Sequence, residues 1–300
     1  MINTSTIHEG LKETLEDIVD DSKEGEDSTV YRDWLYVGKM NDYYVDDLEM
    51  AGAGLASETP EGSEMILGDI KQGTIWRYFV RKFTMKLVIT DEAAMFVKYD
   101  KIIDAGRRLV RAAWKTVDVD LTNLLKRGFN TTFPGADGVP LWSASHPLAK
   151  GGTFSNLFAT AMSPSRTAVI VARAMAAKMV GHDGITEGYK LQKVLAPVEQ
   201  WGVWNEILYS SHAPEAGQFN AINVVNQKMN LSLVENPYWD TTTTNYAFTT
   251  EAPNGLTVRW ARRPKMRDWI DNDTETRKYG ISYLYGRGWS EPRATIGVNA

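Results

Sequence analysis

The chain has 300 residues, a formal net charge of −5, 43% hydrophobic and 24% charged residues, and no cysteine. That length buries one large core or two modest ones. The acidic balance argues against a dedicated nucleic-acid binder with a basic face, and the absence of thiols excludes disulfides and suits a reducing cytoplasm.

No run approaches the roughly 18 apolar residues of a membrane span, and the N-terminus shows neither the basic nor the apolar region of a signal peptide. Ten tryptophans point to extensive buried aromatic contact.

Residues 1–29 form an acidic arm with nine carboxylates against two lysines. Ile7, Leu11, Leu15, Ile18 and Val19 fall at helical spacing, a narrow apolar stripe that needs a partner surface. Residues 51–62 are small and polar, a loop. Gly52-Ala-Gly54 lacks the preceding strand and third glycine of a dinucleotide site. From Thr74 to Ile89 a two-residue period, with Trp76 and Tyr78 alternating with Arg77 and Phe79, predicts a long β-hairpin suited to lying on another protein surface.

Thr90-Asp-Glu92 opens a helix of about 35 residues, near 50 Å, closed by Gly128. Phe96, Tyr99, Ile103, Gly106, Val110, Ala113, Val117, Leu121 and Leu124 mark its buried face. Lys98, Lys101, Arg107, Arg108, Arg111 and Lys115 mark the reverse. Such length in a domain of this size predicts a spine. A turn-rich loop follows from Gly138 to Asn156. A helix over 164–179, capped by Ser163, comes next. Strands are expected at 191–195, 222–225, 231–237, 256–260 and 279–285. A helix begins at Pro197 and buries Trp201, Trp204, Ile207 and Leu208. A threonine tract, 241–244, links to the β-rich tail. The pattern is α+β.

Chemistry is sparse. Ser143 and Ser145 beside His146 suggest a serine hydrolase, yet no Gly-x-Ser-x-Gly elbow occurs and adjacency alone makes no triad. Turn residues followed by the His146-Pro147 bend are the simpler reading. His8, His146, His182 and His212 show no metal-ligand spacing, and no phosphate loop is found. No catalytic, cofactor-binding or metal residue is assigned, and the exposed aromatics of the tail leave a carbohydrate-binding surface as a further alternative.

The order of these elements resembles the major capsid proteins of tailed bacteriophages, the Johnson fold of Hong Kong phage type, and most closely the Mu-like major head subunits. The resemblance is carried by Leu124-Leu-Lys-Arg-Gly-Phe129, Asp137-Gly-Val-Pro-Leu-Trp142, Ser145-His-Pro147, Gly152, Ser155-Asn156, Lys193-Val-Leu-Ala-Pro197, Ile207-Leu-Tyr-Ser210, Asn220-Ala-Ile-Asn-Val224, Leu233-Val-Glu-Asn-Pro237 and Tyr246-Ala-Phe248. Trp142 stands where such chains often carry Phe, and Gly202 interrupts a helix.

The resemblance implies an N-terminal arm (1–50), an E-loop (51–90), a peripheral domain (91–182 and 246–300) and an axial domain (183–245). It implies a non-enzymatic subunit that self-assembles as hexamers and pentamers into an icosahedral head around double-stranded DNA, in the virion, after assembly in the host cytoplasm. No cofactor or membrane is expected. A separate scaffolding protein, a portal and decoration proteins are the implied partners. A Lys–Asn crosslink through Lys71 has no partner motif. The alternatives are the shell of an encapsulin-type nanocompartment and a serine hydrolase using His146.

Overall fold

A computed structural model describes residues 29–65, 67–68, 70–90, 99–212, 222–239, 245–271, 273–274 and 276–299. The expected arm helix, the start of the long helix and the threonine tract lie outside those residues.

The dominant element is α1 (Tyr99–Lys126), 28 residues and so about 42 Å long. Val110, Ala113, Val117 and Leu121 recur at helical spacing and are buried, as are Leu109, Trp114 and Leu125. The reverse face is exposed at Lys101, Arg107, Arg108, Arg111 and Lys115. Gly128 ends the helix as expected: its N–H donates to the Leu125 carbonyl.

The buried face of α1 packs on a four-stranded sheet built from β1 (Tyr36–Lys39), β4 (Arg81–Thr90), β10 (Leu256–Asp271) and β11 (Thr276–Trp289). Its order is β1-β10-β11-β4, with β1 parallel to β10 and the other pairs antiparallel. The two strands expected in the tail are therefore parts of one long hairpin, β10–β11.

A second sheet has the order β12-β9-β7-β8, from β7 (Leu191–Pro197), β8 (Ser232–Asn236), β9 (Tyr246–Thr250) and β12 (Thr295–Val298). Its core includes Ala168, Val169, Ala172 and Ala176 of α2 (Arg166–Lys178) and Trp204, Ile207 and Leu208 of α3 (Trp201–Tyr209). Strands from both sides of the expected 245/246 boundary share this sheet. The two-residue strands β5 (His146–Pro147) and β6 (Thr153–Phe154) tie the central loop to itself.

Four expectations are corrected. The run Thr74–Ile89 is not a hairpin: β3 (Gln72–Phe79) pairs with β2 (Tyr44–Met50), while β4 pairs with β11. The alternation correctly marks two strands, but the chain changes sheets at Val80, a tertiary decision invisible to a period-two pattern. Second, α2 is capped by Ser165, whose Oγ accepts from the Ala168 N–H at 3.1 Å. Third, residues 222–225 enter a short helix, α4 (Val224–Lys228). Buried Asn223 caps it by accepting from the Val225 N–H and donates to the carbonyls of Ile207 and Ser210 at the end of α3. Fourth, Trp201 is half exposed and lies off the buried face of α3.

Candidate functional site: a sealed polar junction and two exposed surfaces

The central loop is sealed. Trp142 lies between Gly128 and Gly297, where an added Cβ would come within 2.4 Å and 2.3 Å of its ring. Both positions therefore demand glycine for close approach. The indole Nε1 donates to Thr295 Oγ1 at 3.1 Å, and the ring meets Phe129 and Trp239. A tryptophan at this position ties the end of α1 to β12.

His146 is 1% exposed. Its Nδ1 lies 2.6 Å from Asp137 Oδ2, and its Nε2 lies 3.1 Å from Asn156 Oδ1. Asn156 is held by three further contacts to its amide: Oδ1 accepts from the Ser143 N–H, and Nδ2 donates to the carbonyls of Leu141 and Pro292. An Asp–His pair is therefore present, but the ring nitrogen a nucleophile would need is taken by an amide oxygen. Ser143 Oγ instead accepts from the Ser145 N–H at 3.2 Å, a turn contact. The hydrolase geometry is not assembled.

The network continues. The Phe154 ring stacks on His146, and the Arg293 guanidinium sits over the same Phe154 ring, 4.0 Å from its centroid. Arg293 Nη1 reaches His182 Nε2 at 2.9 Å and Glu291 Oε1 at 2.7 Å, while Glu49 Oε1 lies 3.0 Å from the same His182 nitrogen. Glu49, His182 and Glu291 could together ligate a metal. The guanidinium already supplies the positive charge at that point, so the group is an ion cluster closed by arginine. Residues this far apart in sequence carry no spacing signal, and sequence reasoning missed them. The cluster anchors β2 to the body of the subunit.

The β2–β3 pair is thus rigid at its base. Trp76 and Tyr78 point inward and are buried, and an added Cβ at Gly135 would strike the Trp76 ring at 2.7 Å. Asp47 pairs with Arg259 of β10. Trp76 and Tyr78, expected to lie on a neighbouring protein, therefore serve this subunit's own core, while Phe79 is 52% exposed. The loop between β2 and β3 is the reverse: Leu55 is 81%, Met65 94% and Leu67 93% exposed.

The spine helix carries polar latches among its apolar residues. Asp118 Oδ1 accepts from the Tyr31 N–H at 3.1 Å, Asp120 takes the Tyr285 hydroxyl and the Arg287 guanidinium, and Thr122 bonds to Asn236. These tie the N-terminal segment, the first sheet and the second sheet to one rod. Burial pushes the Asp118 carboxyl up to about 6, opposed by the backbone N–H groups of Tyr31 and Val30.

The family described as phage capsid protein matches residues 76–298. The chain belongs to this family. Its members build virus shells, and this one is a capsid shell protein with the mixed α+β Johnson fold. Among solved structures, the mature capsid of bacteriophage PhiM1 matches with a TM-score of 0.58 at 10% identity, over 91% of this chain and 87% of that one. The capsid of cyanophage P-SCSP1u gives 0.56 at 13% identity over 91% and 88%. A virus-like particle from Pyrococcus furiosus gives 0.56 at 9% identity over 97% and 98%. At these identities the likeness is one of fold. A comparison with curated proteins finds no significant match.

Proposed function

We propose that this capsid protein is the major head subunit of a tailed phage, closest to the Hong Kong type and its Mu-like group, and acts without catalysis. The observation that carries this is the contrast within one subunit. The candidate catalytic groups of the central loop are buried and hydrogen-bonded to the fold, while the large exposed apolar side chains gather on an arm anchored at its base. Such an arm cannot bury its tip alone and is suited to a neighbouring copy.

The α1 spine and the first sheet form the peripheral body. The β2–β3 hairpin forms the extended loop, which moves its start from residue 51 back into β2. Residues 183–245 contribute the axial part, with the second sheet as the junction. The implied contents are double-stranded DNA, and the implied partners are a separate scaffold, a portal and decoration proteins. Assembly takes place in the host cytoplasm.

Electron microscopy of the purified full chain, alone and with its co-expressed genomic neighbours, tests this: closed shells are expected. A monomer under every condition would overturn it. The second reading, a nanocompartment shell of the same fold, has less support than the phage capsid reading, which the family match favours. Purified shells then hold protein cargo in place of DNA. Esterase and peptidase assays of the full chain and of His146→Ala are expected to show no turnover.

A further inference from the structure

The first sheet has two faces. Strand alternation places Phe83, Leu87 and Ile89 of β4 and Tyr279, Ile281, Tyr283 and Tyr285 of β11 against α1. The alternate residues form the outer face, and there the cations gather. Arg267, Gly280 and Lys86 are direct partners across three strands, and so are Arg262, Leu284 and Lys82 two rungs away. Because Gly280 has no side chain, the Trp269 ring lies over it: a Cβ there would come 2.8 Å from Trp269 Cζ3.

The result is a shallow depression of about 550 Å³ whose lining holds Lys82, Lys86, Arg262 and Arg267 and no carboxylate. The two acids at the end of β10 pair with cations of β11, Asp268 with Arg277 and Asp271 with Lys278. Arg262 donates to Ser282 Oγ through Nη2, while its Nε is buried with no hydrogen-bond partner among the described residues. Trp269 is 44% exposed. The depression is cationic around an apolar floor made by Trp269.

We propose that this face docks the acidic N-terminal segment, residues 9–27, of a second copy. Nine carboxylates and two lysines give residues 1–29 a charge of −7. Subtracting this from the whole chain's −5 leaves the remainder at +2, so the arm and the body are opposite in sign. The segment also carries an apolar stripe through Leu11, Leu15 and Ile18, which matches a floor of Trp269 between flanking cations. Duplex DNA would use the cations and leave that floor uncovered.

The geometry favours a neighbour's arm over the subunit's own. Tyr31 is bonded to Asp118 on α1, so each arm leaves from the helix side of the sheet, opposite the depression.

This docking rests on self-assembly, and the test separates the two. A one-to-one mixture of nitrogen-15-labelled and unlabelled full chain is assembled and treated with a carbodiimide, which joins amines to carboxylates on contact. Mass spectrometry is expected to find Lys82 or Lys86 joined to acids of residues 9–27, including mixed-isotope pairs. Lys82→Glu, Lys86→Glu and Arg267→Glu together remove these links, and Glu13→Lys, Glu16→Lys and Asp20→Lys restore assembly in that background. Links confined to Lys101 and Lys115 of the spine, or to same-isotope pairs, overturn the docking even where shells form.

Where no shells form, the capsid reading fails, and docking is judged by binding of a labelled peptide of residues 7–27 to the full chain. The triple variant is expected to weaken that binding roughly ten-fold or more. Equal binding overturns the proposal, as does duplex DNA shielding Lys82 and Lys86 from acetylation while the peptide does not.

Discussion

The central loop and the outer face of the first sheet treat polar groups in opposite ways. The loop buries His146, Asn156 and Arg293 and meets them with partners drawn from four parts of the chain. The sheet face holds Lys82, Lys86 and Arg267 in solvent with no acid among the lining residues. The first arrangement belongs to a finished interior, in which a buried polar group without a partner is costly. The second belongs to a surface that awaits a charge of opposite sign. A histidine with an aspartate beside it is thus the weaker functional signal here, and four cations around a tryptophan, with no acid among the described lining residues, are the stronger one.

The largest expected effect tests the sealed side. Asn156→Ala strands the His146 ring, the Ser143 N–H and the carbonyls of Leu141 and Pro292 at once. A loss of about 4 kcal/mol in unfolding free energy is expected, read by chemical denaturation. A loss below about 1 kcal/mol would mean that water replaces these bonds and that the loop is open.

Gly297→Ala comes next. Its Cβ would sit 2.3 Å from Trp142 Cγ, and overpacking of about 2–3 kcal/mol is expected. The double change with Trp142→Phe should recover part of that loss, which a thermodynamic cycle measures.

Asp118 sharpens the contrast between buried and exposed charge. Its folded carboxyl, pushed up to about 6, stands above its ordinary 3.8. Between those values the native state holds a proton that the unfolded chain has lost, so this group's contribution to stability falls as pH rises through the window. Relative to Asp118→Asn, the wild type should therefore gain stability as pH is lowered from about 6 to about 4. The opposite slope would show that the Tyr31 and Val30 N–H groups outweigh burial.

The smallest effect tests the open side. Lys82→Ala and Lys86→Ala should each change subunit stability by less than about 0.5 kcal/mol, while assembly measured by sedimentation falls. A large loss of stability would show that these cations serve the subunit's own fold.

Much of the fold is legible in local pattern. The helical stripe of Val110, Ala113, Val117 and Leu121 marks the spine and its buried face, and Gly128 marks its end. The order of short motifs points to the capsid family that the match over residues 76–298 shows. Where strands pair is less legible. The alternation from Thr74 to Ile89 looks like a hairpin because both strands obey the same period, and nothing local says that β3 joins β2 and β4 joins β11. At Asn223, one buried amide bonding to the Ile207 and Ser210 carbonyls at the end of α3 turns an expected strand into a helix start.

The sequence by itself determined the elements with strong periodicity, the absence of thiol chemistry and the charge of the arm, because these depend on residues that are neighbours along the chain. The tertiary structure decided the rest. It closed His146 between Asp137 and Asn156, joined Glu49, His182 and Glu291 around Arg293, and gathered Lys82, Lys86, Arg262 and Arg267 on one face. Those groups meet only because strands far apart in sequence lie side by side, and the electrostatics of a site depend on distance in space.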